Sequence, residues 1–455
     1  MRTVNLKHAF CALVLLLTLI GCASTSMPPV DNIIAIGSAG TPINPKNNRS
    51  LSAIDYQTHI DSVLSFDKKE LVLYIHGGLN TPRSANIRAL ELKTRMEDDD
   101  VHPVFVHWRS GFFTTYTEHL LINRQGEQWS ALGWGGLTSP FIILSDLGRA
   151  LTRFPMTWWY KINSALKVLL PETYPSEKDA IRVAAAATRS REFAELPELS
   201  DYRSSQQKFM NNANNTLQLA GGLFTAPFFD AGGTGAWDIM KRRTSVMFVK
   251  GKPEDNTAYE TLQDYAAQRQ GALVYFLDAL AARQRNDASL RITLVGHSMG
   301  TIIANEIVRG WPQLNFQNII YMGAATSIKD FRKTVIPYMQ MTEHENTQFF
   351  NLMLHPIAEN SEGYGPFGVG GTGSLLNQID NIYEKPVIES DRTLGRWVNA
   401  MSGLNFFDED IRSRVFLRTM PLGSDYPMKH TDFANVDYLK TGKFWRGKLG
   451  QERFD

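Results

Sequence analysis

The chain has 455 residues, 43% apolar, 20% charged and 11% aromatic, which is the composition of a globular protein able to bury a sizeable core. Its formal net charge of +1 gives no basis for nucleic acid or any other strongly charged partner.

The first elements in chain order are a signal rather than fold. Arg2 and Lys7 form a positive start, and residues 9–20 (AFCALVLLLTLI) form an apolar run too short to span a bilayer comfortably. The run ends in Leu19-Ile20-Gly21-Cys22. This pattern resembles the signal of bacterial lipoproteins. The resemblance implies that residues 1–21 are removed and that Cys22 carries lipid. With Ala23 rather than aspartate after the cysteine, it also implies an anchor in the outer membrane, facing the periplasm. Cys11 and Cys22 are the only cysteines. The mature body would then have no thiol, hence no disulfide, thiolate metal site or cysteine nucleophile. Loss of Arg2 and Lys7 brings its formal charge near −1.

Residues 22–55 are rich in Ser, Pro, Gly and Asn and read as a tether, with one short strand at Ile33 to Ile36. A first core segment follows over 56–115. It contains the apolar strand ELVLYI, a helix over NIRALELKTRMED and a second buried strand in HPVFVHWRS. Over 116–255 the pattern changes to long apolar-aromatic helical stretches, such as FIILSDLGRALTRFPMTWWYKINSALKVLL, which read as a helical insertion or cap. From 256 to 455 strands and helices alternate again. A helix over NTAYETLQDYAAQRQGALVYFLDALAARQ leads to the strand RITLV, the helix TIIANEIVRG, and strands in NIIYMGAA, TQFFNLMLHP and RVFLRTM. This alternation predicts an α/β fold, with a mostly parallel central sheet flanked by helices. No internal repeat is found at solenoid periods.

The chemistry gathers at Gly296-His297-Ser298-Met299-Gly300. A buried strand enters this G-x-S-x-G and a helix leaves it. A sharp strand-to-helix turn exposes a serine Oγ at the top of a sheet, and glycines on either side let the turn close. Ser298 is therefore the candidate nucleophile. The Met299 backbone N–H, at the positive end of the new helix, is a candidate oxyanion donor. Upstream, the strand LYI runs into His76-Gly77-Gly78. Gly78, with Leu79 next, is the expected second donor, and His76 is expected to hold the loop.

With both motifs in this order, the chain resembles the α/β-hydrolase superfamily of serine esterases and lipases over residues 56–115 and 256–440. The resemblance implies the α/β-hydrolase fold and a Ser…acid…His order along the chain. Of the histidines beyond Ser298, His430 follows the last strand and matches the general base. His355 is expected to orient a loop and His344 to be solvated. Glu359, just past the strand in FFNLMLHPIAENSE, is the expected acid, with Glu362 and Asp380 as rivals.

The implied reaction is hydrolysis of a carboxylic ester, small-molecule or lipid, through an acyl-enzyme and without cofactor or metal. An acyltransferase or thioesterase would use the same triad. A non-catalytic envelope lipoprotein would keep the fold as a scaffold. Trp158, Trp159, Phe224, Phe228 and Phe229 of the insertion suit an acyl pocket, a membrane contact or the insertion's own core. The run GVGGTGS at 368–374 lacks a P-loop lysine and reads as a loop.

Overall fold

The computed structural model describes residues 31–121, 123–124, 127–128, 132–169, 213–248, 271–362, 373–384, 386–402, 409–420, 426–434 and 443–446. The signal, Cys22, and the charged run near 175–204 lie outside the described residues, as do the side chains of Phe224, Phe228 and Phe229.

Seven strands form one sheet: β1 (Ile33–Ile36), β2 (Glu70–Ile75), β3 (Val101–Trp108), β4 (Arg291–His297), β5 (Phe316–Met322), β6 (Gln348–Met353) and β7 (Val415–Thr419). Their order is β1-β3-β2-β4-β5-β6-β7, and every pairing is parallel. A parallel sheet needs helices on both faces, and its strands should be buried on both sides. The period of two in β2 shows how this is met. Leu71, Leu73 and Ile75 enter one apolar cluster, and Val72 and Tyr74 enter the other.

The helices follow local rules. Helix α1 (Ala53–Val63) starts at Ser52, whose hydroxyl accepts the Asp55 N–H. Helix α2 (Pro82–Asp98) has Thr81 and Ser84 as a reciprocal cap and Pro82 in its first turn. Its Ala85, Ala89, Leu92 and Met96, spaced by four, three and four, are buried. The stretch expected to be a tether as far as residue 55 in fact joins the body earlier. All four residues of β1 are buried beside β3, and Ile43 is in the core, because apolar side chains at 33–36 complete the sheet edge.

Helices α3 (Phe112–Leu121), α4 (Leu132–Leu169) and α5 (Ala213–Val246) make up the described part of the insertion, with a two-residue hairpin between α3 and α4. They are fastened to one another and to the core by charge. Arg153 Nη1 lies 2.7 Å from Asp230, and Arg243 donates to the Arg109 carbonyl at 2.5 Å. The second core segment continues with α6 (Ala272–Asn286), α7 (Gly300–Gly310), α8 (Ile328–Gln340), α9 (Pro356–Ser361), α10 (Leu375–Gln378) and α11 (Trp397–Ser402). No helix among the described residues is long and apolar enough to cross a membrane.

One topological feature positions the site. From β2 the chain moves to β3 on one side, and from β4 it moves to β5 on the other. The loops after the neighbouring strands β2 and β4 therefore diverge, leaving a crevice at the carboxyl ends of the strands. Both glycine motifs stand at this switch point, since Ile75 pairs with Gly296.

Candidate active site

Ser298 sits between the end of β4 and the start of α7, with φ of 52°. That is left-handed backbone, which a residue with a Cβ adopts at a cost of roughly 1–3 kcal/mol. The turn is held by its main chain. The Ser298 N–H donates to the Met322 carbonyl at 2.9 Å, and the Ser298 carbonyl accepts the N–H groups of Thr301 and Ala325 at 3.1 and 3.2 Å. Gly300 permits the close approach of the new helix to β2, because a Cβ there would lie 2.3 Å from the Ile75 carbonyl oxygen. Ser298 is buried, and its Oγ has no hydrogen-bond partner.

The loop after β2 lies against this turn. A Cβ on Gly77 would fall 2.7 Å from Ser298 Cβ, and one on Gly78 would fall 2.9 Å from Met299 Sδ. The same position would be 3.4 Å from Met240 Sδ of α5, so the insertion reaches the site here. His76 Nδ1–H donates to the Gly77 carbonyl at 2.7 Å, and its Nε2 accepts the Trp108 N–H at 3.3 Å. Those bonds fix the tautomer. Burial holds the ring neutral by pushing its pKa down to about 4. Asn80 Nδ2 adds bonds to the Gly77 and Gly78 carbonyls at 2.9 and 3.2 Å. The carbonyls of this loop are thus engaged. Among the described residues, the N–H groups of Gly78 and Met299 carry no internal bond. Leu79 is different from expectation. It has φ of 65°, and its N–H is spent on the Ser110 carbonyl at 2.8 Å, so it cannot serve as an oxyanion donor.

His430 opens a short 3₁₀ turn, His430–Ala434, and is buried. Neither of its ring nitrogens has a hydrogen-bond partner. It comes to the elbow across Gly323, the residue after β5. With φ of 51° and no side chain, Gly323 leaves room that a Cβ would close, since it would lie 2.9 Å from His430 Cε1. The backbone of His430 is gripped at both ends. Glu362 Oε2 accepts its N–H at 2.9 Å, and His297 Nε2–H donates to its carbonyl at 3.2 Å. The His297 and His430 rings stack with centroids 5.4 Å apart. The sequence reading assigned no role to His297. The signal available was its place immediately before the nucleophile.

The three acids separate in space. Glu362 is buried beside His430, and burial pushes its pKa up to about 7. Glu359, the expected acid, points elsewhere. Because 356–361 coil into α9 instead of a loop, its Oε1 accepts from Ser374 Oγ and Arg396 Nε, both at 3.0 Å. Asp380 accepts from the other side of the same guanidinium at 3.1 Å, from Asn399 at 2.7 Å and from the Thr393 N–H at 2.9 Å. Glu359 and Asp380 thus neutralise one arginine between them, and of the three acids only Glu362 bonds His430, through its backbone N–H.

The remaining expectations fall out plainly. His344 is buried rather than solvated. It stacks on Tyr338 at 3.8 Å and donates to the Pro312 carbonyl at 2.8 Å. Trp158 leans on Phe154, with centroids 5.0 Å apart, whereas Trp159 is exposed. A small, half-open pocket lies beside His76, with Ile36, His107 and Trp108 in its wall, but Ser298, Glu362 and His430 do not line it. Among the described residues no group of histidine, cysteine and carboxylate side chains is arranged to hold a metal.

Comparison of the chain with protein-family models, with characterised proteins and with solved structures finds no match.

Proposed function

We propose that the chain is a membrane-anchored serine hydrolase acting on carboxylic esters, built on an α/β-hydrolase arrangement. The observation that carries this reading is Ser298 on a strained turn whose preceding residue, His297, stacks on the buried His430. A serine is held in left-handed backbone at a strand-to-helix turn. Its Oγ is unpartnered, and His297, the residue before it, stacks on a buried histidine whose two nitrogens are also unpartnered. Buried polar atoms are normally satisfied, and such a group left without a partner costs about 1–3 kcal/mol. Three of them together suit a site that substrate completes.

In this reading Ser298 Oγ attacks the ester carbonyl carbon while His430 takes the serine proton. In this role Glu362, which holds the His430 main chain, would supply the ionised carboxylate that stabilises the imidazolium. The N–H groups of Met299 and Gly78 receive the negative charge that develops on the carbonyl oxygen. Collapse of the tetrahedral species expels the alcohol, which takes the proton from His430. A water, deprotonated by His430, then cleaves the acyl-serine to acid and free Ser298. Cys22, as the lipidated residue, would hold the enzyme at the envelope membrane.

A fluorophosphonate probe tests the reading. Wild-type protein should be labelled and Ser298→Ala should not. A folded wild-type protein that resists labelling would sink it.

A further inference from the structure

Helix α4 is inverted relative to a helix that faces water. Its charged residues turn inward: Asp146 is buried and contacts His119 at 3.1 Å and Arg149 at 3.3 Å, while Arg153 pairs with the buried Asp230. Its outward face is apolar. Leu137, Phe141, Leu144, Leu151, Met156 and Trp159 are exposed, Phe141 by 71% and Trp159 by 62%. Their spacing of four, three, seven, five and three keeps them on one side of the helix. The exposed positions between them are proline, glycine, serine or threonine, and none is charged. At 1.5 Å per residue the stripe runs about 33 Å. An uncharged apolar face of this extent marks an interaction surface.

The start of the chain indicates the occupant. Cys22 lies eleven residues before β1, a leash of at most about 40 Å when fully extended. With Cys22 acylated, the body stays within that distance of the bilayer, close enough for one face to rest on lipid. The face without charge is the one whose burial in the headgroup–acyl boundary costs no ion desolvation. We infer that α4 lies flat on the bilayer with Leu137, Phe141, Leu144, Leu151 and Trp159 among the acyl chains. The choice of lipid as occupant rests on Cys22 as the anchor. The stripe itself rests on the geometry of α4 and is independent of Ser298.

The test uses the full chain, purified with any lipid it carries. It is reconstituted in phosphatidylethanolamine–phosphatidylglycerol vesicles with plain or brominated acyl chains. The Trp159 emission is taken as the difference between wild type and Trp159→Phe, with the buried Trp237→Phe as control. Brominated chains should reduce the Trp159 emission about twofold or more and leave that of Trp237 unchanged. Phe141→Glu with Leu144→Glu should abolish the quenching while thermal unfolding stays as in wild type, because both side chains are exposed. Absence of Trp159 quenching overturns the inference, and so does a dimer in sedimentation that the same two substitutions dissociate. The mass of the N-terminal peptide reports separately whether Cys22 is acylated. Quenching without acylation would leave the docking face standing and remove only the anchor.

Discussion

The Glu362 carboxylate accepts the backbone N–H of His430 at 2.9 Å, so this acid is fixed to the main chain of the candidate base. This relationship sets a pH dependence. Burial lowers the His430 pKa to about 4 and raises that of Glu362 to about 7. Above pH 4 the imidazole is already neutral and fit to act as a base. Glu362 becomes an anion only as pH passes about 7, and the anion is the form that stabilises an imidazolium. Ester hydrolysis should therefore gain a rising limb in kcat/KM near pH 7. Glu362→Gln should lose that limb and drop the plateau by about 10²–10⁴-fold. A profile like wild type in Glu362→Gln would remove the residue from the mechanism.

The same shift acts on stability. The folded protein holds the Glu362 proton more tightly than the unfolded chain does. The stabilisation from that group is present below its ordinary pKa and is lost as pH rises through about 7. His430, whose pKa is depressed, runs the other way, with stabilisation lost as pH falls through about 4. Glu362→Gln removes only the first effect. The difference in unfolding temperature between Glu362→Gln and wild type should therefore move in favour of the variant from pH 5 to pH 8, as read by thermal unfolding in matched buffers.

In the proposed mechanism His297 would position the base. It sits one residue before the nucleophile and donates to the His430 carbonyl, so one side chain couples the elbow to the base. Replacement by phenylalanine keeps the stacked ring and deletes the bond. His297→Phe should lower kcat about 10- to 100-fold with KM near wild type, because a misplaced base weakens the transition state more than the bound ester. His297→Gln, which keeps a donor, should recover part of the loss. Equal kinetics in the two variants would reduce His297 to packing.

Much of this site was legible from residues 70–79 and 291–300. Apolar strands, glycine turns and a following helix are local signals, and both motifs lie where the sequence put them. What failed depended on contacts between distant segments. Glu359 looked right by its distance from β6. However, α9 and Arg396, 37 residues later, draw it away, and nothing in the local sequence announces an arginine shared with Asp380. Leu79 failed because its N–H meets Ser110, 31 residues on. His344 was misread because its partners, Tyr338 and Pro312, are brought to it by tertiary packing. The short strand at Ile33 to Ile36 was legible, but its pairing with β3 was not, because that partner lies about 70 residues away.

Arg396 carries a stability prediction. It lies between the buried Glu359 and Asp380, so its removal strands two carboxylates away from water. Arg396→Met should destabilise the fold by about 3–5 kcal/mol, the usual cost of breaking a buried ion pair from one side. Glu359→Gln leaves the arginine one anion and should be milder. Because Glu359 is not on His430, that variant should keep the pH 7 limb of kcat/KM that Glu362→Gln loses. Denaturant unfolding and the pH profile, measured on the same preparations, distinguish these roles. Loss of the limb in Glu359→Gln would return it to the candidate acid position.

The strained backbone at Ser298 gives the last prediction. Alanine at this position deletes the Oγ but keeps the Cβ that left-handed backbone disfavours at φ of 52°. Glycine deletes the Oγ and relieves a strain worth roughly 1–3 kcal/mol. Glycine also loosens the unfolded chain, which costs about 0.4–1 kcal/mol relative to alanine. Ser298→Gly should therefore be more stable than Ser298→Ala by about 1 kcal/mol. Both variants should lack activity and fluorophosphonate labelling. Denaturant unfolding of the pair measures the difference directly. A glycine variant less stable than the alanine one would mean that the turn carries no strain, and that the left-handed conformation of Ser298 is not what holds its hydroxyl at the crevice.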